Sequence, residues 1–183
     1  EVTGSTYGGK IKSEYVTGLG NGLNIRSKGP FEVKLDADKN QLSGYVSNFS
    51  DAEDKEFKMY FALTFDGTVD VEGSKLVVND EEELALTENN GEELNVFIRF
   101  VEAQTVTTTL ATSFISVEQA ELNLSRIKND SFKEMKDAAE ASWMNYLNRI
   151  EVNSKNKEQV ATFYTMMYRA FIFPQKFYEL NQA

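Results

Sequence analysis

The chain has 183 residues, 41% of them hydrophobic and 26% charged, which is enough apolar material for one large domain or a domain with an appendage. With 29 acidic residues against 19 basic ones, its net charge of −10 repels phosphate backbones and anionic headgroups, so neither nucleic acid nor a membrane is an expected partner. Histidine and cysteine are both absent, which removes imidazole bases, thiolate nucleophiles, thiol–zinc sites and disulfides, and leaves only oxygen ligands for any metal.

The opening, EVTGSTYGGKIKSEY, has neither an initiating methionine nor the apolar stretch of a signal peptide, and it reads as a segment from inside a longer protein. Residues 1–115 read as strands. FEVKL (Phe31 to Leu35) alternates apolar and polar residues with a period of two, as a half-buried strand does. QLSGYVSNF, EFKMYFALTF, SKLVV and LNVFIRFV follow, and DADKN, SDAEDK and ENNGEE between them have turn and loop compositions. TVTTTLATSFI (Thr105 to Ile115) closes the series with the threonine enrichment that strands favour. About eight short strands with no helical pattern among them predict an antiparallel β-sandwich.

At Ser116 the period changes. Ser116 with Gln119 predicts a capping box for a short helix whose Val117, Ala120, Leu124 and Ile127 share one face. Ser131 with Glu134 predicts a second capping box. It opens a long amphipathic helix with Phe132, Met135, Ala139, Trp143, Tyr146, Leu147 and Ile150 in one stripe. After the polar connection EVNSKNKEQ, a third helix is expected from about Lys157 to Pro174, where the proline ring stops it. From Phe163 to Phe173 that helix is apolar on nearly every side, so something must cover it. Arg169, the one charge inside this stretch, would then need a carboxylate partner.

Few motifs point to chemistry. GLGNG (Gly18 to Gly22) contains a G-x-G with no helix after it, and so reads as a turn and not as a phosphate loop. The acidic run NDEEELALTENNGEEL lacks the order of a calcium loop and reads as solvated. No carboxylate pair stands out for glycosidic acid/base work. Without histidine or a G-x-S-x-G elbow, serine catalysis is excluded. The sequons at Asn48, Asn123 and Asn129 are short enough to arise by chance. Trp143, the single tryptophan, suits core packing better than a sugar-stacking platform.

ATSFISVEQAELNL, SFKEMKDAAEASWMNYLNRIEV and EQVATFYTMMYRAFIFPQKFYEL, in that order and spacing, resemble the junction region of glycoside hydrolase family 92, whose members are calcium-dependent exo-acting α-mannosidases, many of them bacterial. The resemblance spans about residues 110–180. It rests on an S-x-x-S strand end, E-Q-A with N-L soon after, a helix with A-x-x-x-W running to L-x-R-I-x-V, and F-Y-T-x-x-Y before a proline. Residues 1–109 match only in kind.

The resemblance implies a sandwich joined by helices to an (α/α)6 barrel, here divided into a sandwich at 1–115 that is incomplete at its N-terminus, linker helices at 116–153 and the truncated start of the barrel at 154–183. It further implies that Phe163, Tyr164, Met167, Tyr168, Arg169, Phe171 and Phe173 face the rest of the barrel, and that Trp143, Tyr146, Leu147 and Ile150 pack the linker helices. The acid, base and calcium ligands of such an inverting enzyme would lie beyond this chain. No catalytic, cofactor-binding or metal-binding residue is therefore assigned, and the chain alone is expected to be inactive. The parent enzyme would take mannose-containing glycans and calcium, and would be secreted, periplasmic or on a bacterial cell surface. An uncovered terminal helix would favour self-association. Two alternatives remain: a freestanding carbohydrate-binding or adhesion sandwich, and a related sandwich-plus-barrel glycosidase with another sugar preference.

Overall fold

The computed structural model of the chain describes residues 1–15, 21–47, 57–78, 82–101, 105–172 and 178–180. Nine strands come first: β1 (Val2–Gly4), β2 (Gly8–Glu14), β3 (Gly22–Asp36), β4 (Gln41–Ser47), β5 (Lys58–Phe65), β6 (Val69–Val78), β7 (Glu82–Ala85), β8 (Glu88–Phe100) and β9 (Thr105–Ser113). Three helices follow, α1 (Val117–Ile127), α2 (Phe132–Leu147) and α3 (Lys157–Phe171). The mainly β class with C-terminal helices is as the sequence predicts.

Every pairing is antiparallel, and the strands form one continuous sheet in the order β1-β2-β9-β5-β4-β3-β8-β6-β7. The two layers of the sandwich come from this one sheet bending over on itself. Phe65 of β5 and Phe100 of β8 are three places apart in the strand order, yet their ring centroids lie 5.3 Å apart, and Tyr15 after β2 reaches Phe100 at 6.2 Å. Strand β3 carries the bend. Its first half pairs with β8 alone, the register breaks between Lys28 and Phe31, and its second half pairs with β4 and β8 together. Gly29, at φ 94°, and Pro30 occupy the break, where a left-handed backbone and a missing N–H interrupt the ladder.

Between the layers lies one apolar core that includes Val33, Leu42, Phe61, Leu63, Leu76, Leu94, Val96, Ile98 and Val106. Asn40 ties the rim of the two layers together. It sits at φ 48°, a left-handed conformation that asparagine tolerates, accepts from the Val69 N–H at 3.3 Å and donates to the Gly67 carbonyl at 3.2 Å.

Several features differ from the sequence reading. ENNGEE was expected as a turn but forms the first half of β8, with Gly91 opposite Phe31 and Asn89 opposite Val33. Part of the acidic run is thus strand and not solvated loop, because pairing with β3 outweighs the low strand propensity of asparagine and glycine. Strands β1, β2 and β7 lie where no alternation announces them. Asn48, Gly18 to Gly20 and Pro174 fall outside the described residues.

Helix α1 lies on the outer face of the sheet, over β5 and β9, where Ala120 and Leu124 pack on Ala62 and Ala111. Small side chains allow this close approach. A Cβ on Gly8 would come within 2.9 Å of Ile127 Cδ1 and would also collide with the Leu110 carbonyl. Lys10, opposite Thr109 in the ladder, is buried beneath the end of α1 with 3% exposure. Its ammonium donates to Thr109 Oγ1 at 2.9 Å and to the carbonyl of Lys128, the C-cap of α1, at 3.3 Å. There it also complements the negative end of the helix dipole.

Burial pushes the Lys10 pKa below its ordinary 10.5, against the opposing pull of Asp130 and Asp66. Between the lowered folded value and 10.5 the unfolded chain holds more protons, so this lysine's contribution to stability rises with pH across that window. The Tyr15 hydroxyl, pushed up by burial, works in the opposite sense, so the lysine effect is isolated by comparing two proteins. Lys10→Ala is expected to lower unfolding stability by about 1–3 kcal/mol, with the gap from the parent widening toward pH 10.5 in denaturant titrations.

Candidate functional site

Two constellations outside the sandwich core bring together the residues singled out from the sequence. The first is the aromatic contact between α2 and α3. Ser131 caps α2 by the full reciprocal box: the Glu134 N–H donates to Ser131 Oγ at 3.1 Å, and the Ser131 N–H donates to Glu134 Oε2 at 2.8 Å. That pairing, with the Glu134 carboxylate at the positive end of the helix, holds its pKa low. Along the predicted stripe only Met135 is fully buried, while Trp143 and Leu147 are half-buried and Tyr146 is exposed. The helix ends at Leu147 and not near Ile150. Ile150 is exposed beyond it, and its carbonyl accepts from the Tyr164 hydroxyl at 3.1 Å.

Rings join the two helices at Trp143–Tyr168, with centroids 4.5 Å apart, and at Tyr146–Phe171, 5.8 Å apart. The contact advances three residues along each helix in the same direction, so the connection from 148 to 156 must carry the chain back before α3 begins. Tyr164, which bonds to that connection, helps fix the return.

No residue of α3 is fully buried. Phe163, Tyr164 and Met167 are half-buried, whereas Tyr168 at 43% and Phe171 at 40% exposure, with Met166 and Ile172, leave an apolar surface uncovered. Arg169 is exposed as well. Phe173 lies outside the described residues. Beside the two helices a groove of about 1020 Å³ is lined by Ser5 and Thr6 of the β1–β2 turn and by Glu134, Trp143, Tyr146 and Phe171.

The second constellation was not recognised from sequence. Ser116 caps α1, accepting from the Gln119 N–H at 3.2 Å, but the reciprocal half of the expected capping box does not form. The Gln119 side chain turns away and donates to Asn123 Oδ1 at 3.2 Å and to the Leu180 carbonyl at 3.0 Å. Asn123, one turn on, donates to the Thr112 carbonyl at 3.1 Å and to Glu179 Oε2 at 2.9 Å. The other carboxylate oxygen of Glu179 accepts from Ser113 Oγ at 3.0 Å and from the Phe114 N–H at 2.7 Å. Ser113, Ser116, Gln119 and Asn123 are residues of the S-x-x-S and E-Q-A…N-L motifs, so the structure gives those motifs a shared location. A signal was present: two amides one turn apart on the same helix as Ala120 and Leu124 are out of place unless they meet polar partners. Asn123 is buried in these contacts, which leaves its sequon without an accessible acceptor.

Among the described residues no group of three or more acidic side chains is arranged to hold a metal, and no helix is long and apolar enough to cross a membrane. Trp143 is the only tryptophan, so its fluorescence reports the helix contact directly. Tyr168→Ala should shift its emission to longer wavelength and cost about 0.5–1.5 kcal/mol of the contact beyond area burial, while the far-UV signal of the sheet is retained.

Residues 119–183 match the model of the glycosyl hydrolase family 92 catalytic domain. No curated protein sequence matches the chain. A family GH92 inverting mannosidase from Bacteroides thetaiotaomicron has a similar structure at TM-score 0.87 and 23% identity, over 98% of this chain and 25% of that one. A family GH92 alpha-mannosidase of the same organism is similar at TM-score 0.77 and 21% identity, over 92% of this chain and 24% of that one. A further gh92 family glycosyl hydrolase is similar at TM-score 0.78 and 22% identity, over 94% of this chain and 24% of that one. This chain therefore spans about a quarter of the length of the solved structures it matches. Residues 119–183 are thus similar to the glycosyl hydrolase family 92 catalytic domain, and over nearly all of its length the chain shares the fold of part of those solved structures.

Proposed function

We propose that this chain is the non-catalytic sandwich portion of an α-1,2-mannosidase-like glycoside hydrolase that removes terminal α-mannose from glycans, and that by itself it is inactive. The observation that carries the proposal is the location of the uncovered apolar surface. The match to the family's catalytic domain runs from residue 119, within α1, to residue 183, and the exposed apolar side chains of α2 and α3, from Met144 to Ile172, lie inside that matched segment. In this reading residues 1–115 are the sandwich, 116–153 the linker helices and 154–183 the opening of a helical barrel. Phe163, Tyr164, Met167, Tyr168, Arg169, Phe171 and Phe173 then face the helices that follow, and Trp143, Tyr146, Leu147 and Ile150 brace α3 from the linker side.

The exposed α3 favours this reading over a freestanding carbohydrate-binding or adhesion module, whose terminal helix should fold back onto its own sandwich. Calcium belongs to the parent enzyme in this proposal. The described residues of this chain offer no cluster that fits it. We place the parent enzyme outside the cytoplasm, as a secreted, periplasmic or cell-surface bacterial protein.

Hydrolysis of α-mannobiose with added calcium tests the proposal. The 183-residue chain should release no mannose, while a longer polypeptide continuing through a family 92 catalytic domain should. Turnover by the chain alone would overturn it. The uncovered helices should also drive association: light scattering after size exclusion is expected to show dimers or larger species at high concentration, reverting to monomer in Phe171→Ser with Met166→Ser.

A further inference from the structure

We propose that Glu179 and Leu180 form a latch that α1 and the end of β9 are built to receive, tying the chain beyond α3 back to the sandwich. Three features of the receiving surface point to it. Gln119 and Asn123 are 8% and 5% exposed, and a buried amide must find a partner for each of its protons. In each amide one proton stays within the receiving surface, on Asn123 Oδ1 or the Thr112 carbonyl, and the other goes to Leu180 or Glu179. Without the latch both helix residues would lose half of their donors' partners. The third feature is the strand end. Strand β9 stops at Ser113, so the Phe114 N–H has left the ladder and its partner is the Glu179 carboxylate.

The carboxylate accepts three hydrogen bonds, from Ser113 at the end of β9, from Phe114 just after it and from Asn123 of α1, and bonds to a charged acceptor are about twice as strong as neutral ones. Neither α2 nor α3 is well seated on the sheet, since only Met135 between them is fully buried. The latch gives the helix pair a second anchor, at the end of the segment opposite to α1. The inference does not depend on the mannosidase reading and can be tested on this chain alone.

Hydrogen exchange on the 183-residue chain provides the test, read at the Phe114 amide with Leu42 and Val96 as reference amides in the core. Glu179→Ala should accelerate Phe114 exchange by about tenfold or more while the reference amides keep their protection, and Glu179→Gln should fall between it and the parent. Asn123→Asp, which sets a second carboxylate against Glu179 Oε2, should accelerate Phe114 exchange as well, and it decides the matter if Glu179→Ala disturbs the core amides. Phe114 exchange equal to that of the parent in Glu179→Gln and Asn123→Asp would overturn the latch, as would a Phe114 amide already unprotected in the parent.

Discussion

The seat of α1 on the outer face of the bent sheet is the constraint on which the rest of the molecule depends. It exists because Gly8, Ala62 and Ala111 leave the strands bare enough for a helix to come close, and because Ala120, Leu124 and Ile127 fill that space from the other side. Once α1 is seated, its C-terminus lies over Lys10 and Asn123, on its second turn, lies beside the end of β9. One end of the helix thus receives a cation from the sheet, while Gln119 and Asn123 donate to the Leu180 carbonyl and to Glu179 respectively.

Polarity is distributed unevenly along this path. Within the sandwich the core is apolar, and polar contacts serve its rim, as at Asn40. At α1 the contacts become half polar, and between α2 and α3 they are aromatic and only partly covered. Helices of 15 or 16 residues gain little stability from propensity alone, so α3 leans on two ring contacts, on the Tyr164 hydroxyl and on the latch. The gradient runs from an apolar β core to a helical segment with apolar side chains exposed, and the family match covers that helical segment from residue 119 on.

Much of this was legible in the sequence. The central strands announce themselves because each has one face in the core, and period-two alternation follows from that. Both helix starts were legible at Ser116 and Ser131 because N-capping is local chemistry. ENNGEE was misread because pairing with β3 is a long-range effect that its composition does not encode. The side chain of Gln119 was assigned to a capping box, yet a partner 61 residues downstream competes for it, and local pattern is blind to such a partner. Glu179 carries no signal of its own, being one carboxylate among 29 acidic residues.

The two margins of the sheet are protected by different means. At one margin β1 is only three residues long and α2 packs alongside it, so a strand from another molecule finds few free backbone groups to join. At the other margin β7 is only four residues long, so it offers little backbone for a second strand to join. Protection by shortness belongs to the sheet itself and persists whatever the helices do. Protection by α2 is borrowed. A chain cut back to its β domain would keep the short β7 margin and uncover β1, and that edge is where such a shortened form should begin to recruit copies of itself.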